Sequence, residues 1–233
     1  MIAPSILSAD FANLQTDTLS VLPEADWIHF DVMDGHFVPN LTVGPCVLSS
    51  LKKQIPNAFY DVHLMVTDPQ TWALEFIKAG ADMITFHVES QSLRPDPTST
   101  KPYPLKSDIP TITENSIILL KKLQKSCKAG VVIKPESDIN DYKALLSHID
   151  LLLIMSVEPG FGGQKYQPKC AEKAKLAREL GYKGLIEIDG GISNETIQHA
   201  KGCGIDVFVA GSYVFGVSGE DRKRRILGLK DSQ

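Results

Sequence analysis

The sequence predicts an α/β protein, a single-domain (β/α)8 TIM barrel that extends over residues 1–233. Three observations predict this fold: a pattern that occurs four times along the chain, a regular alternation of strand and helix patterns, and the length of the chain. Such alternation is typical of a parallel sheet, and barrels of eight strand–helix units have about 250 residues. An open doubly wound sheet is the alternative architecture that these observations leave.

The repeated pattern is an aspartate, then a short apolar run, then a polar or small residue. Short apolar runs rich in Ile, Val and Phe are typical of buried parallel strands. The leading aspartates are 56, 68 and 56 residues apart. The four copies, which predict four of the eight strands, are Asp26-WIHF-Asp31, Asp82-MITF-His87, Asp150-LLLIM-Ser156 and Asp206-VFVA-Gly211.

Apolar runs before and between these copies predict the other four strands, at 2–7, 59–65, 130–133 and 185–189. Each gap between strands carries a helical pattern of apolar residues. The predicted helices are 11–21, 47–54, 69–79, 116–125, 138–146, 171–180, 194–200 and 220–229.

A proline-rich segment, residues 91–113, accounts for the longer middle spacing. It has five prolines and many Ser and Thr residues, a composition typical of a loop. Because it follows the strand that ends at His87, it lies on the face where barrel enzymes have their active sites. We expect a surface insertion here, with a functional lid as the alternative.

Composition excludes several classes of function. The net charge of −4 argues against nucleic acid or an anionic membrane as the partner of the whole surface. No apolar run approaches the roughly 20 residues that a membrane-spanning helix needs. The four cysteines are scattered, and the first ten residues lack the features of a signal peptide, so we expect free thiols and a cytoplasmic protein.

Polar residues near the ends of predicted core strands indicate a site. His29 and Asp31 are two residues apart and leave the same face of one strand, His63 lies near the end of the next, and Asp189 ends the seventh. Two imidazoles and two carboxylates suit Zn²⁺, Fe²⁺, Mn²⁺ or Co²⁺. Asp61 is the second choice of ligand, and we expect it to be a buried hydrogen-bonding group instead.

Three glycine clusters follow the last three predicted strands. They begin at Gly160, at Gly190 and at Gly211. Backbone N–H groups without side chains can approach an anion closely, and the loops after strands seven and eight are the usual phosphate site of this fold. The clusters therefore predict a phosphate site, although turns also need glycine.

At this point the motifs resemble the ribulose-phosphate 3-epimerase family, which has a ribulose-phosphate-binding barrel. The segments that carry the resemblance run in family order to about residue 215, and the two longest are highly specific. They are Pro4-SILSAD, His29-FDVMDGHFVPN, Asp61-VHLMV, Met155-SVEPGFGGQK, Asp189-GGI and Ala210-GS.

The resemblance implies a metal-dependent isomerase that interconverts D-ribulose 5-phosphate and D-xylulose 5-phosphate in the pentose phosphate pathway. It implies His29, Asp31, His63 and Asp189 as metal ligands, with Asp31 and Asp189 as the acid–base pair. We expect one divalent ion per subunit, Zn²⁺ or Fe²⁺ ahead of Mn²⁺ or Co²⁺, and a homodimer or higher oligomer. The expected substrate contacts are Ser8, Met33, His63, Met65, Met155, Gly160, Phe161, Gly162, Gly163, Gly190, Gly191, Ile192, Gly211 and Ser212.

Two other enzymatic functions remain as alternative hypotheses. A six-carbon ketose phosphate could be the substrate, because substrate length is not readable from these motifs. A Schiff-base aldolase would use Lys134 after the fifth strand. A phosphate-binding barrel without activity would have no need for two opposed carboxylates.

Overall fold

A computed structural model describes residues 1–91 and 106–231. Within them, eight parallel strands form one sheet in the order β1-β8-β7-β6-β5-β4-β3-β2. A bridge between Ser5 and His29 brings β1 and β2, the two ends of this order, together. The predicted (β/α)8 barrel is confirmed. Its strands are β1 Ile2–Pro4, β2 Ile28–Met33, β3 Tyr60–Met65, β4 Met83–His87, β5 Lys128–Ile133, β6 Leu151–Met155, β7 Leu185–Asp189 and β8 Val207–Ala210.

Helices and shorter helical turns connect the strands. Short 3-10 segments occur at Ile6–Ser8, Phe11–Asn13, Val88–Gln91, Lys106–Asp108 and Ile139–Leu145. The α-helices are α1 Leu14–Val21, α2 Pro45–Gln54, α3 Pro69–Ala79, α4 Ile109–Leu123, α5 Pro168–Glu179, α6 Ile197–Gly202, α7 Ser212–Phe215 and α8 Glu220–Asp231.

The loop prediction for 91–113 is wrong at its C-terminal end. Helix α4 begins at Ile109, and Pro110 lies in its first turn, where a missing backbone N–H costs nothing. Ile112, Leu119 and Leu123 are buried along one side of this helix. Burial of that side therefore outweighs the effect of a Pro- and Thr-rich first turn. Of the predicted loop, residues 92–105 lie outside the part of the chain that the structure describes.

Two further differences concern short segments. The helix predicted at 138–146 is present, at Ile139–Leu145, but it is a 3-10 helix. Helix α7 was not predicted; it follows Gly211 directly and has only four residues. A segment of only four residues carries too few apolar residues to show a helical period.

Strand residues alternate between two environments, as the pleat requires. Phe30, Val62, Ile84 and Ile186 belong to the large apolar core between strands and helices. The interior of the barrel has a different character: Val132, Leu153 and Val207 make parts of it apolar, but β2, β3, β4 and β7 contribute buried polar side chains. These polar residues are His29, Asp31, Asp61, His63, Thr85, His87 and Glu187.

The four repeated aspartates lie at the N-terminal ends of β2, β4, β6 and β8. Each carboxylate accepts a hydrogen bond from a backbone N–H at the start of the preceding strand, so the sequence repeat has one structural cause. The bonds are Ile2 N to Asp26 2.7 Å, Tyr60 N to Asp82 2.9 Å, Ala129 N to Asp150 3.0 Å and Ile186 N to Asp206 2.8 Å.

Within the described residues, no helix is long and apolar enough to cross a membrane.

Candidate active site and metal centre

The predicted ligands converge inside the barrel from three strands, β2, β3 and β7. Strands β2 and β3 are paired so that His29 lies opposite Asp61 and Asp31 lies opposite His63. This register places the four side chains side by side on the inner face of the barrel. Asp189 reaches the same point from β7, and one ligand atom from each of His29, Asp31, His63 and Asp189 lies within 4.8 Å of the others.

Both imidazoles direct one nitrogen at Asp31. His29 Nε2 is 3.3 Å from Asp31 Oδ1, and His63 Nδ1 is 3.1 Å from the same oxygen. His63 Nδ1 is also 4.0 Å from Asp189 Oδ2. Nitrogen and carboxylate donors that face one point form a site able to hold a divalent metal ion.

An orphaned polar atom supports this assignment. Among the described residues, the fully buried His29 Nε2 finds no hydrogen-bond partner. The other ring nitrogen, Nδ1, lies 2.6 Å from Asp61 Oδ2. A carboxylate only accepts, so Nδ1 carries a proton and Nε2, which faces Asp31, is the ring nitrogen left to bind a metal ion. A metal-binding histidine usually has this carboxylate behind it.

Asp61 therefore acts behind His29, as the sequence suggested, and Glu187 lies beside it. Glu187 is fully buried, and its Oε1 is 3.6 Å from His29 Nδ1. Burial and the nearby Asp61 raise the pKa of Glu187 well above its ordinary value. Glu187 was missed from the sequence, although it stands two residues before Asp189 on the same strand face, which is the signal that found Asp61.

The two candidate acid–base carboxyls have opposite pKa shifts. Burial alone would raise the pKa of Asp31, but the positive charge of His29 and the hydrogen bond and charge of His63 hold it well below the ordinary value. Burial and then the charge of Asp31 raise the pKa of Asp189 to about 6. Ser5, which was also missed, donates to Asp31 Oδ2 at 2.5 Å. One carboxyl is thus held ionised while its neighbour retains a proton more readily.

A pocket of about 550 Å³, part of it open to solvent, lies above these carboxyls. His63 lies below the pocket and is not among the residues that line it. The other predicted substrate contacts all line it: Ser8, Met33, Met65, Met155, Gly160, Phe161, Gly162, Gly163, Gly190, Gly191, Ile192, Gly211 and Ser212.

The loop after β7 can only be built with glycine. Gly190 and Gly191 have φ values of +120° and +64°, which L side chains rarely adopt. A Cβ on Gly191 would lie 2.5 Å from the backbone nitrogen of Tyr166. A Cβ on Gly211 would lie 2.8 Å from Ser8 Oγ. Backbone and hydroxyl groups therefore come together at this end of the pocket.

Lys134, the residue of the aldolase alternative, does not line this pocket. Its ammonium group lies over the ring of Phe37, 4.3 Å from the ring centroid. A Schiff-base lysine would have to reach a substrate carbonyl, so the position of Lys134 does not favour that alternative.

Another group of potential ligands, Glu172, His199 and Cys203, lies outside the barrel on and near α5 and α6. Lys175 Nζ is 2.7 Å from Glu172 Oε2, so a cation already neutralises this carboxylate. The buried group around Asp31 is the better candidate for a metal centre.

Comparisons with known proteins find similar sequences over most of the chain. The model of the ribulose-phosphate 3 epimerase family matches residues 1–100 and 108–215, so its gap falls in the proline-rich segment. The ribulose-phosphate 3-epimerase of Mycobacterium leprae is 45% identical, over 94% of this chain and 89% of its own length. That of Eremothecium gossypii is 38% identical, over 100% of this chain and 92% of its own.

A solved structure shares the fold. The 3-hexulose-6-phosphate synthase from Salmonella typhimurium has a TM-score of 0.68 and 16% identity, and the match covers 100% of this chain and 99% of that one. Identity this low supports the barrel alone. The family model and the two relatives cover most of the chain, and on that ground the chain belongs to the ribulose-phosphate 3 epimerase family.

Proposed function

We propose that this chain is an isomerase that interconverts D-ribulose 5-phosphate and D-xylulose 5-phosphate by epimerisation at C3. Its family membership supports the reaction class. The observation that carries the mechanism is the pair Asp31 and Asp189, on different strands of one pocket, whose pKa values are shifted in opposite directions. Epimerisation needs one base and one acid at the same carbon, and this pair supplies both.

The carboxyls divide the proton transfers between them. The C3 proton is acidified by the C2 carbonyl, and an ionised Asp31 removes it to leave an enediolate. A protonated Asp189 then returns a proton to the opposite face of the carbon. In the reverse direction the two residues exchange roles. Because the two carboxyls interact, measured pKa values belong to the pair and not to either residue.

We assign metal binding to His29 Nε2, His63 Nδ1 and the carboxylates of Asp31 and Asp189. We propose one divalent ion per subunit, Zn²⁺ or Fe²⁺ ahead of Mn²⁺ or Co²⁺, because imidazole with carboxylate suits these ions. When bound, such an ion supplies a Lewis acid that stabilises negative charge on the reacting substrate. Asp61 keeps His29 in the tautomer that this role needs.

The far end of the pocket is proposed to bind the phosphate. Gly162 and Gly211 lie close to Ser8 Oγ, and Ser212 follows directly. Backbone N–H groups and hydroxyls suit a phosphate, and contacts remote from C3 would hold that carbon against the carboxyls. The buried Met33, Met65 and Met155 would cover the carbon chain of the sugar.

We also propose a cytoplasmic protein that forms a homodimer or higher oligomer and acts on a small sugar phosphate, with no nucleic acid or membrane partner. Four free cysteines and a net charge of −4 support this proposal. Light scattering after size exclusion tests the oligomer, and cell fractionation tests the compartment.

A coupled epimerase assay with metal analysis of the same sample tests the function. Turnover of D-ribulose 5-phosphate should exceed that of a six-carbon ketose phosphate. Chelation should abolish it and added Zn²⁺ or Fe²⁺ should restore it, with an unchanged far-ultraviolet circular dichroism spectrum. Full activity in a verified metal-free sample would overturn the metal role, and preference for the six-carbon substrate would overturn the substrate.

A further inference from the structure

A row of buried side chains extends behind His63, away from the pocket. His63 Nε2 is 3.0 Å from His87 Nε2, and His87 Nδ1 is 3.2 Å from Glu89 Oε2. His63 and His87 are fully buried, and Glu89 is 3% exposed. The ring of Phe37 packs against His87 with centroids 4.8 Å apart, so the imidazole is held in place.

The loop after β5 determines the state of Glu89. The backbone N–H of Lys134 donates to Glu89 Oε1 at 2.9 Å, and Ser137 Oγ donates to the same oxygen. A backbone N–H cannot reverse its direction, so Oε1 must be an acceptor. An ionised Glu89 meets this requirement and leaves Oε2 to accept from His87.

An ionised Glu89 sets the order of protons along this row. Because Glu89 accepts, His87 carries its proton on Nδ1, and its Nε2 is an acceptor. Two lone pairs 3.0 Å apart would repel, so His63 must carry its proton on Nε2. The remaining atom, His63 Nδ1, lies 3.1 Å from Asp31 and 4.0 Å from Asp189, and it is the ring nitrogen left to bind a metal ion.

We propose that Glu89, acting through His87, is a positioning residue that keeps a proton on His63 Nε2 and so leaves Nδ1 as the nitrogen that binds a metal ion. The inference rests on the proposed metal role of His63. Glu89 does not line the pocket and is not one of the four proposed ligands.

The two imidazoles of the site are thus oriented by different means. Asp61 contacts His29 directly, whereas the anion that orients His63 lies one imidazole further away. A hydrogen-bond donor at residue 89 would reverse the positions of the protons on His87 and His63. The metal affinity of His63 should therefore depend on which group residue 89 presents to His87.

Replacement of Glu89 by glutamine reverses the order of protons without changing the shape of the side chain. The amide oxygen must face the N–H of Lys134, so the NH2 group faces His87 Nδ1 and donates to it. His87 then carries its proton on Nε2, and His63 carries its own on Nδ1, where it blocks metal binding. Outer partners of metal-binding histidines typically change metal affinity about 10–100-fold.

The experiment compares Glu89→Gln with wild type in two readouts. Competition with a chromophoric chelator measures Zn²⁺ affinity, and ¹⁵N NMR of the metal-free protein reports the tautomer of each imidazole. We expect Glu89→Gln to bind Zn²⁺ about 10–100-fold more weakly and to lose the proton on His63 Nε2. The tautomer of His29 should not change, because Asp61 is untouched.

Matched variants separate this role from a structural one. Ser137→Ala removes one donor but leaves Glu89 ionised, and should keep wild-type affinity. His87→Gln offers His63 an amide and removes the link, so in that background Glu89→Gln should no longer change Zn²⁺ affinity. This double-mutant cycle also serves if the single variant folds poorly, since it depends on the coupling between the two residues.

The outcomes are distinguishable. A wild type that binds no metal would overturn the proposed function. A wild type that binds Zn²⁺, together with a folded Glu89→Gln variant of unchanged affinity and unchanged His63 tautomer, would overturn this inference alone. Equal effects of Glu89→Gln with and without His87 would likewise contradict it.

Discussion

Polar side chains at the two ends of the barrel have different kinds of hydrogen-bond partner. At the N-terminal end, each of the aspartates Asp26, Asp82, Asp150 and Asp206 accepts a backbone N–H from the preceding strand. Each also accepts from a long side chain on a nearby helix or at its end. These partners are Lys230, Lys52, Gln124 and Arg178, at 2.9, 2.8, 3.1 and 2.6 Å.

The C-terminal end has no such symmetry. Its buried polar groups come from four of the strands, β2, β3, β4 and β7, and they contact one another rather than repeated backbone groups. The difference separates two kinds of polar residue in a barrel of this kind. A polar residue that recurs at the same place in every repeat satisfies the backbone, and one that breaks the repeat is a candidate for chemistry.

The largest expected effect is at the C-terminal end. Asp31→Asn and Asp189→Asn should each reduce kcat by about 10²–10⁴-fold, because each removes an acid–base group. Asp206→Asn makes the same chemical change at the other end and should keep kcat close to wild type. Steady-state kinetics with metal content measured in each sample test this, and near-normal turnover in either of the first two variants would exclude that residue as an essential acid or base.

Asp206→Ala should have the next largest effect, on stability instead of activity. It removes the acceptor of Ile186 N–H and the ion pair with Arg178. Loss of hydrogen bonds to a charged group should lower the free energy of unfolding by about 1–3 kcal/mol. Urea unfolding measures this change. An unchanged stability, or a large loss of kcat in the folded variant, would contradict the division of labour between the two ends.

Asp150→Ala tests whether the four aspartates are equivalent. Its side-chain partner, Gln124, is neutral, whereas Asp206 pairs with a guanidinium. Hydrogen bonds between charged partners are stronger, so the loss for Asp150→Ala should be smaller, about 1 kcal/mol. The same urea titration ranks the two variants. A loss equal to or larger than that of Asp206→Ala would show that the backbone contact dominates and the charge contributes little.

The smallest effect is expected from deletion of residues 101–107, which the family match omits. No predicted ligand or acid–base residue lies among them, so kcat should change by no more than about twofold, or about 0.4 kcal/mol in barrier height. A coupled assay on the metal-loaded variant measures this. A folded, metal-loaded deletion variant without turnover would show that the segment helps to build the site.

Local patterns predicted much of the molecule because their causes are local. Helix α3 begins and ends as predicted: Asp68 accepts from Thr71 N at its start, and Gly80 closes it with a φ of +105°. Asp34, directly after β2, likewise accepts from the N–H groups of His36 and Phe37, two and three residues further along the chain. The start of α4 was missed because burial of its apolar side, not its composition, determines where it begins.

The sequence by itself determined the barrel, the strands that carry polar residues and the face on which each residue lies, because alternation along a strand is a property of the chain. How these residues contact one another depends on the tertiary structure. The register of β2 on β3 sets His29 against Asp61, and a loop 45 residues away provides the N–H that orients Glu89. Ring orientation and proton order depend on such contacts between distant segments, and no local pattern in the chain encodes them.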